Sequence, residues 1–119
     1  MKLYLIRHGE TYFNEVGRIQ GHMDPGLNKE GRHQVEKIVS QLPSEPEFVL
    51  VSSPLRRARE SAEILRDHFG FDEITVIPEF RELDQGYWNG LRGETAKKLE
   101  PERYENWQSS PLETRPPAG

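Results

Sequence analysis

Two polar side chains, Arg7 and His8, stand where a short apolar segment meets a glycine. Residues 2–6 are rich in strand-forming side chains, and Gly9 interrupts the pattern at once, so the segment predicts a buried strand followed by a loop. In open α/β sheets, ligands bind at the carboxyl ends of the strands. Arg7 and His8 are therefore candidates for a site, although an isolated Arg-His pair could also lie in a solvent-exposed loop.

Two further apolar segments also end in charged residues. Residues 48–51 lead to the Arg56-Arg57 pair, and residues 74–77 lead to Arg81 and Glu82. Since strand ends of one sheet converge, two arginines near an imidazole would form a site for an anion such as phosphate, which arginine binds in a bidentate manner. Within such a site, neutral His8 could act as nucleophile or base, and a protonated Glu82 could donate to a leaving alcohol.

The segments between these strands predict helices. Residues 29–42 carry one apolar stripe after Asn28, a plausible N-cap, and Pro43 follows. A second helix is predicted from a Ser53 cap to Gly70, a residue type that favours helix C-termini. This alternation of strands and helices predicts an α/β fold with a mostly parallel sheet.

The C-terminal third is less regular. Residues 79–93 are predicted as a glycine-rich loop, and residues 94–107 as a helix interrupted near Pro101. Residues 109–119 contain three prolines and no apolar period, which predicts an extended tail. We expect all 119 residues to belong to one domain.

Composition narrows the function classes. The net charge of −4 gives no reason to expect nucleic-acid binding, and no apolar segment is long enough to span a bilayer. Cysteine is absent, and no signal-peptide pattern opens the chain, so we expect a soluble, cytoplasmic protein without a membrane partner. His22, His33 and His68 are isolated and lack metal-ligand spacing, so they are interpreted as surface residues and no metal is expected.

Taken together, the polar segments resemble the histidine phosphatase superfamily, which includes cofactor-dependent phosphoglycerate mutases and many small phosphatases. The resemblance covers residues 2 to about 95 and depends on four segments in order: Arg7-His8-Gly9-Glu10-Thr11 with Asn14, Gln20-Gly21, Ser52-Ser53-Pro54-Leu55-Arg56-Arg57-Ala58, and Glu82-Leu83-Asp84-Gln85-Gly86-Tyr87-Trp88-Asn89-Gly90. It implies a phosphoglycerate mutase-like fold of three layers, with helices on both faces of a mostly parallel sheet.

The resemblance also implies roles for individual residues. His8 would be phosphorylated during turnover, and Glu82 would donate a proton to the leaving oxygen. The remaining implied residues bind the phosphoryl group or line its pocket: Arg7, Arg57, Asn14 and Gly21. Arg57 is chosen because the family arginine directly precedes the alanine of this helix, whereas Arg56 and Arg59 are interpreted as a solvated helix face.

The implied reaction is hydrolysis of a small phosphorylated metabolite without metal or cofactor. The sequence of residues 81–90 resembles that of the small phosphatases, including the α-ribazole phosphatase type, more than that of the mutases. Phosphoryl transfer of the mutase type is the alternative.

One family feature is missing from the sequence. The family carries a second histidine on a later, central strand, and no histidine follows His68 here. We therefore expect the N-terminal part of a single histidine phosphatase domain, most simply because the chain is incomplete. A second chain or a strand-swapped copy could instead complete the sheet, or a shortened fold could close the gap. A non-catalytic phosphate-binding module is the corresponding alternative function.

Overall fold

Helices make up most of the regular structure. The computed structural model describes residues 1–44 and 47–119. Its helices are α1 (Tyr12–Glu15), α2 (Lys29–Gln41), α3 (Arg56–Phe69), α4 (Gly93–Leu99) and α5 (Pro101–Ser109), and its strands are β1 (Val51–Ser52) and β2 (Thr75–Val76). Short 3-10 helices cover Pro78–Phe80 and Gly86–Trp88. The chain divides into two units: Met1–Thr11 with Gly26–Arg81, and Tyr12–Pro25 with Glu82–Gly119.

The first unit contains α2 and α3, and both helices match their predicted ranges closely. The side chain of Asn28 accepts a hydrogen bond from the Gly31 amide at 2.7 Å, which confirms the predicted N-cap of α2. Helix α3 ends at Gly70, whose φ of 73° lies in the left-handed region that glycine adopts without strain.

The start of α3 differs from the prediction. Leu55, with an extended backbone, is its N-cap residue, so the helix begins two residues after Pro54. The Ser53 hydroxyl accepts a bond from the Leu55 amide at 3.3 Å and thus caps a turn before the helix.

The strands β1 and β2 pair in parallel, with Val51 opposite Thr75 and Ser52 opposite Val76. The α/β class with parallel strands is therefore confirmed, although both strands are shorter than predicted. The apolar core of this unit centres on Val35 and Val39 of α2 and Leu65 of α3. Burial of these apolar side chains stabilises the packing of α2 against α3.

The prediction of a buried strand over residues 2–6 is wrong. Residues 1–10 carry no strand assignment, and Leu3 and Leu5 are 74% and 88% exposed. A strand exists only where a neighbouring strand supplies ladder hydrogen bonds, and the apolar pattern of the segment cannot provide that neighbour. Within this segment, the side chain of Ile6 is partly buried and packs against the core.

The second unit contains α1, α4 and α5 and an aromatic cluster. Trp88 is 1% exposed, and its ring centroid lies 5.7 Å from that of Tyr104 and 5.5 Å from that of Trp107. Helix α5 begins at Pro101, which confirms the predicted interruption between two helical segments.

The C-terminal segment is not the extended tail that was predicted. Its amides form turns, from Thr114 to the Ser110 carbonyl at 3.1 Å and from Gly119 to the Pro116 carbonyl at 3.0 Å. The Tyr87 amide also donates to the Pro117 carbonyl at 2.9 Å, so the tail folds back onto residues of its own unit. That residues 1–119 belong to one domain stays a prediction. Within residues 1–44 and 47–119, no helix combines the length and the apolar content needed to cross a bilayer.

Candidate functional site

The His8 ring is half-buried in the first unit and is held by its own neighbour. Its Nδ1 atom lies 2.7 Å from the carbonyl oxygen of Gly9. A carbonyl oxygen can only accept, so this contact requires a proton on Nδ1. In the neutral ring the lone pair then belongs to Nε2, which is the nitrogen able to act as a nucleophile.

Ser61 connects the His8 loop to helix α3. The Gly9 amide donates to the Ser61 hydroxyl at 3.1 Å, and this hydroxyl donates to the Arg57 carbonyl at 2.8 Å. Both contacts are buried. Two hydrogen bonds therefore tie the backbone beside His8 to the helical turn that carries Arg57. Ser61 does not belong to any of the sequence motifs, although its spacing of four residues from Arg57 places both on one helix face.

The arginines of this unit differ strongly in burial. Arg57 is 3% exposed, whereas the Arg56 side chain is 63% exposed and pairs with Glu60 at 3.1 Å. Arg59 and Arg7 are exposed. Because Arg57 is buried, water screens its guanidinium charge less than it screens the charges of the exposed arginines.

The first turn of α2 fixes the segment that follows His8. A Cβ atom added to Gly9 would lie 2.7 Å from the Gly31 carbonyl carbon, so only glycine allows this backbone crossing. Beside the crossing, the Glu10 carboxylate accepts a bond from the Asn28 amide group at 2.8 Å, and the Glu10 amide donates to Gln34 at 2.9 Å. These contacts give Glu10 an anchoring role.

The second unit contains the other predicted site residues. Glu82 is exposed, and its carboxylate accepts a bond from the Leu83 amide at 2.9 Å. Asn14 is exposed on α1. Gly21 is buried with φ at 49°, and a Cβ atom there would lie 2.7 Å from Cγ of Gln85. Gly21 therefore permits close packing against the segment that follows Glu82.

Asp84 organises this segment as a hydrogen-bond acceptor. The Gly86 amide at 2.9 Å and the Asn89 side-chain amide at 2.8 Å both donate to one of its carboxylate oxygens. These bonds, in that order, lower the pKa of the Asp84 carboxyl from its usual 3.8, with a smaller contribution from nearby His22. The carboxylate thus keeps its charge to a lower pH than an isolated aspartate.

His22 lies on the surface, as the sequence predicts, and its side chain contacts the backbone of Glu82. Its side chain is 35% exposed, but its Nε2 atom lies 2.7 Å from the Glu82 carbonyl oxygen. The two residues are 60 positions apart, and no local pattern in the sequence connects them.

The predicted site residues thus divide between the units. The first unit contains Arg7, His8 and Arg57. Ser61 connects the backbone beside His8 to the backbone of Arg57 through two hydrogen bonds. The second contains Asn14, Gly21 and Glu82. Their roles in binding and catalysis stay predictions. In the part of the chain that the structure describes, no group of three or more His, Cys, Asp or Glu side chains could hold a metal ion.

Comparison with known proteins identifies a family for the whole chain. The family model described as "Histidine phosphatase superfamily (branch 1)" matches residues 3–119. Phosphoglycerate mutase-like protein 4 of Arabidopsis thaliana is 35% identical over 119 residues, which cover 99% of this chain and 52% of the relative. Phosphoserine phosphatase 1 of Hydrogenobacter thermophilus is 35% identical over 113 residues, which cover 93% of this chain and 52% of the relative.

A solved structure shows the same fold. A mycobacterial glucosyl-3-phosphoglycerate phosphatase in complex with VO3 superposes with a TM-score of 0.83 at 30% identity, over 91% of this chain and 53% of that one. The chain spans about half the length of the curated relatives that it matches.

Proposed function

This chain belongs to the histidine phosphatase superfamily, and on that premise we propose that its protein hydrolyses small phosphomonoesters through a phosphohistidine formed on His8. The observation that carries the proposal is the contact between His8 Nδ1 and the Gly9 carbonyl. It assigns the ring proton to Nδ1 and leaves the nucleophilic lone pair on Nε2.

In the first proposed step, Nε2 of His8 attacks phosphorus and the bond from phosphorus to the ester oxygen breaks. Arg7 and Arg57 bind the phosphoryl oxygens and stabilise their charge in the transition state. Glu82, when its carboxyl holds a proton, donates that proton to the departing oxygen, so that a neutral alcohol leaves. For Asn14 and the Gly21 backbone, a role in phosphoryl binding is proposed from the family resemblance alone.

In the second step, water attacks the phosphohistidine. The Glu82 carboxylate left by the first step accepts a proton from this water, and the bond from phosphorus to Nε2 breaks to release inorganic phosphate. The cycle restores neutral His8 and protonated Glu82. No metal or cofactor is proposed, because two guanidinium groups can neutralise the phosphoryl charge.

The test is to incubate the chain with p-nitrophenyl phosphate and with phosphoserine and to measure released phosphate. Acid-labile phosphate should appear on the parent protein and be absent from His8→Ala. His33→Ala is the matched control, because His33 lies on α2 with its side chain 63% exposed. Arg57→Ala should lower the rate by about 10²–10³. Phosphate release that survives His8→Ala would contradict the proposal.

Two other functions are alternatives to phosphomonoester hydrolysis. Phosphoryl transfer of the mutase type predicts isomerisation of 3-phosphoglycerate and little phosphate release from other esters. A non-catalytic phosphate-binding module is the second alternative. It predicts that vanadate or phosphate binds without turnover, and that His8 acquires no phosphate.

We further propose that the exposed apolar segment of residues 2–6 pairs with a strand from a second chain or a swapped copy. Leu3 and Leu5, 74% and 88% exposed, would lose their contact with water there. Native mass spectrometry tests this proposal, since a purely monomeric chain would contradict it. A cytoplasmic location and a likeness to the α-ribazole phosphatase type are proposed on the sequence alone.

A further inference from the structure

We propose that His22 is a positioning residue, which holds the backbone of Glu82 so that its carboxyl group can reach the leaving oxygen. The proposal rests on the proposed function, in which Glu82 is the proton donor. His22 belongs to none of the motifs that carry the family resemblance, and its proposed role comes from its contacts in the structure.

The contact between the two residues is short and its direction is defined. His22 Nε2 lies 2.7 Å from the Glu82 carbonyl oxygen, and since that oxygen only accepts, Nε2 must carry a proton. The other ring nitrogen, Nδ1, lies 3.9 Å from a carboxylate oxygen of Asp84. This distance is too long for a hydrogen bond.

The backbone that precedes His22 is hydrogen-bonded to residues 90–93, which follow Glu82 in the chain. Ile19 exchanges two backbone bonds of 2.8 Å with Gly90 and Leu91, and the Gly93 amide donates to the Gly17 carbonyl at 3.0 Å. Arg18 adds a side-chain bond of 2.6 Å to the Gly90 carbonyl. His22 therefore approaches Glu82 from a fixed loop.

Gly21 brings this loop close enough for the contact. It is buried, has φ at 49°, and lies where a Cβ atom would approach Gln85 Cγ to 2.7 Å. The Met23 amide donates to the Gln20 carbonyl at 2.8 Å, which closes a turn around Gly21 and His22. This turn directs the imidazole toward the Glu82 carbonyl.

Glu82 needs such support because it is exposed. The Leu83 amide, from the adjacent residue, donates to its carboxylate, and an exposed side chain can exchange between rotamers. A general acid must lie within hydrogen-bond reach of the atom that it protonates, and small displacements lower the rate steeply. A hydrogen bond to the backbone carbonyl restricts the peptide from which the side chain extends.

The test compares His22→Gln with His22→Asn. The glutamine amide nitrogen can occupy the place of Nε2 and donate to Glu82, whereas the shorter asparagine places its amide near Nδ1 and cannot reach. We expect His22→Gln to keep hydrolysis of phosphoserine within about threefold of the parent, and His22→Asn to lower kcat by about tenfold with little change in KM. On p-nitrophenyl phosphate, whose leaving group needs no proton, the two variants should agree within about threefold. His33→Asn is the control and should match the parent.

Equal losses on both esters, or equal rates for the two variants, would overturn the proposal. The variants also report on the contact without turnover, because the carbonyl 13C resonance of Glu82 should move in His22→Asn and stay close to the parent position in His22→Gln. An unmoved resonance in both variants overturns the proposal as well. A parent chain that hydrolyses neither ester contradicts the proposed function instead, and the resonance then decides whether His22 holds Glu82.

Discussion

Replacement of Ser61 by alanine tests the connection between the His8 loop and helix α3. Ser61 is 5% exposed, and its hydroxyl is the acceptor for the Gly9 amide at 3.1 Å. In Ser61→Ala this buried amide loses its acceptor, which costs about 1–3 kcal/mol. The lost bond to the Arg57 carbonyl matters less, because that carbonyl already lies inside a helix.

A smaller effect opposes this cost. Alanine favours helix formation over serine by roughly 0.5 kcal/mol, and position 61 lies within α3. Subtracting this gain from a central cost of about 2 kcal/mol leaves a net destabilisation of about 1.5 kcal/mol. At about 4 °C per kcal/mol for a chain of this size, Tm should fall by about 6 °C.

Urea unfolding followed by circular dichroism measures the change, and Ser40→Ala is the matched control. Ser40 also donates its hydroxyl to a carbonyl of its own helix, that of Lys37 at 2.7 Å, but it is exposed. The control should therefore stay within about 0.5 kcal/mol of the parent. Hydrogen exchange should be slow at the Gly9 amide in the parent and fast in Ser61→Ala. If the two variants lose the same stability, Ser61 does not connect the loop to the helix as argued.

Two further variants test the crossing at α2 and the Asp84 turn. In Gly31→Ala, the new Cβ would lie 2.6 Å from the Glu10 amide nitrogen. This clash outweighs the gain in helix propensity of about 1 kcal/mol, so urea unfolding should show a net loss of stability of about 1–2 kcal/mol. A stabilised variant would contradict the close approach of Gly31 to Glu10. In Asp84→Asn, the free energy of unfolding should fall less on acidification than in the parent. Bonds from Gly86 and Asn89 lower the pKa of the Asp84 carboxyl in the folded state below 3.8. The parent is therefore stabilised by these bonds above about pH 4 and loses that stabilisation as the pH falls through the lowered pKa. Urea midpoints at about pH 5 and about pH 3 measure it, and identical acid losses in parent and variant would show that the bonds do not favour the ionised form.

The helices and the family motifs could be predicted because their signals are local. Asn28 caps α2 through an amide three residues away, and Gly70 ends α3 through its own backbone conformation. The choice of Arg57 over Arg56 followed from its place beside alanine in the motif, and the burial of its side chain agrees with an inward orientation.

The remaining features depend on contacts between distant parts of the chain. The apolar pattern of residues 2–6 is that of a strand, but a strand also requires a partner, and the tertiary structure leaves Leu3 and Leu5 exposed. Ser61 meets Gly9 across 52 positions, and His22 meets Glu82 across 60. The sequence by itself therefore determined the family, the helices and the candidate chemistry, since these are written in short segments. Only the tertiary structure decided which side chains hold the His8 and Glu82 loops, because side chains meet in space without leaving a common pattern along the chain.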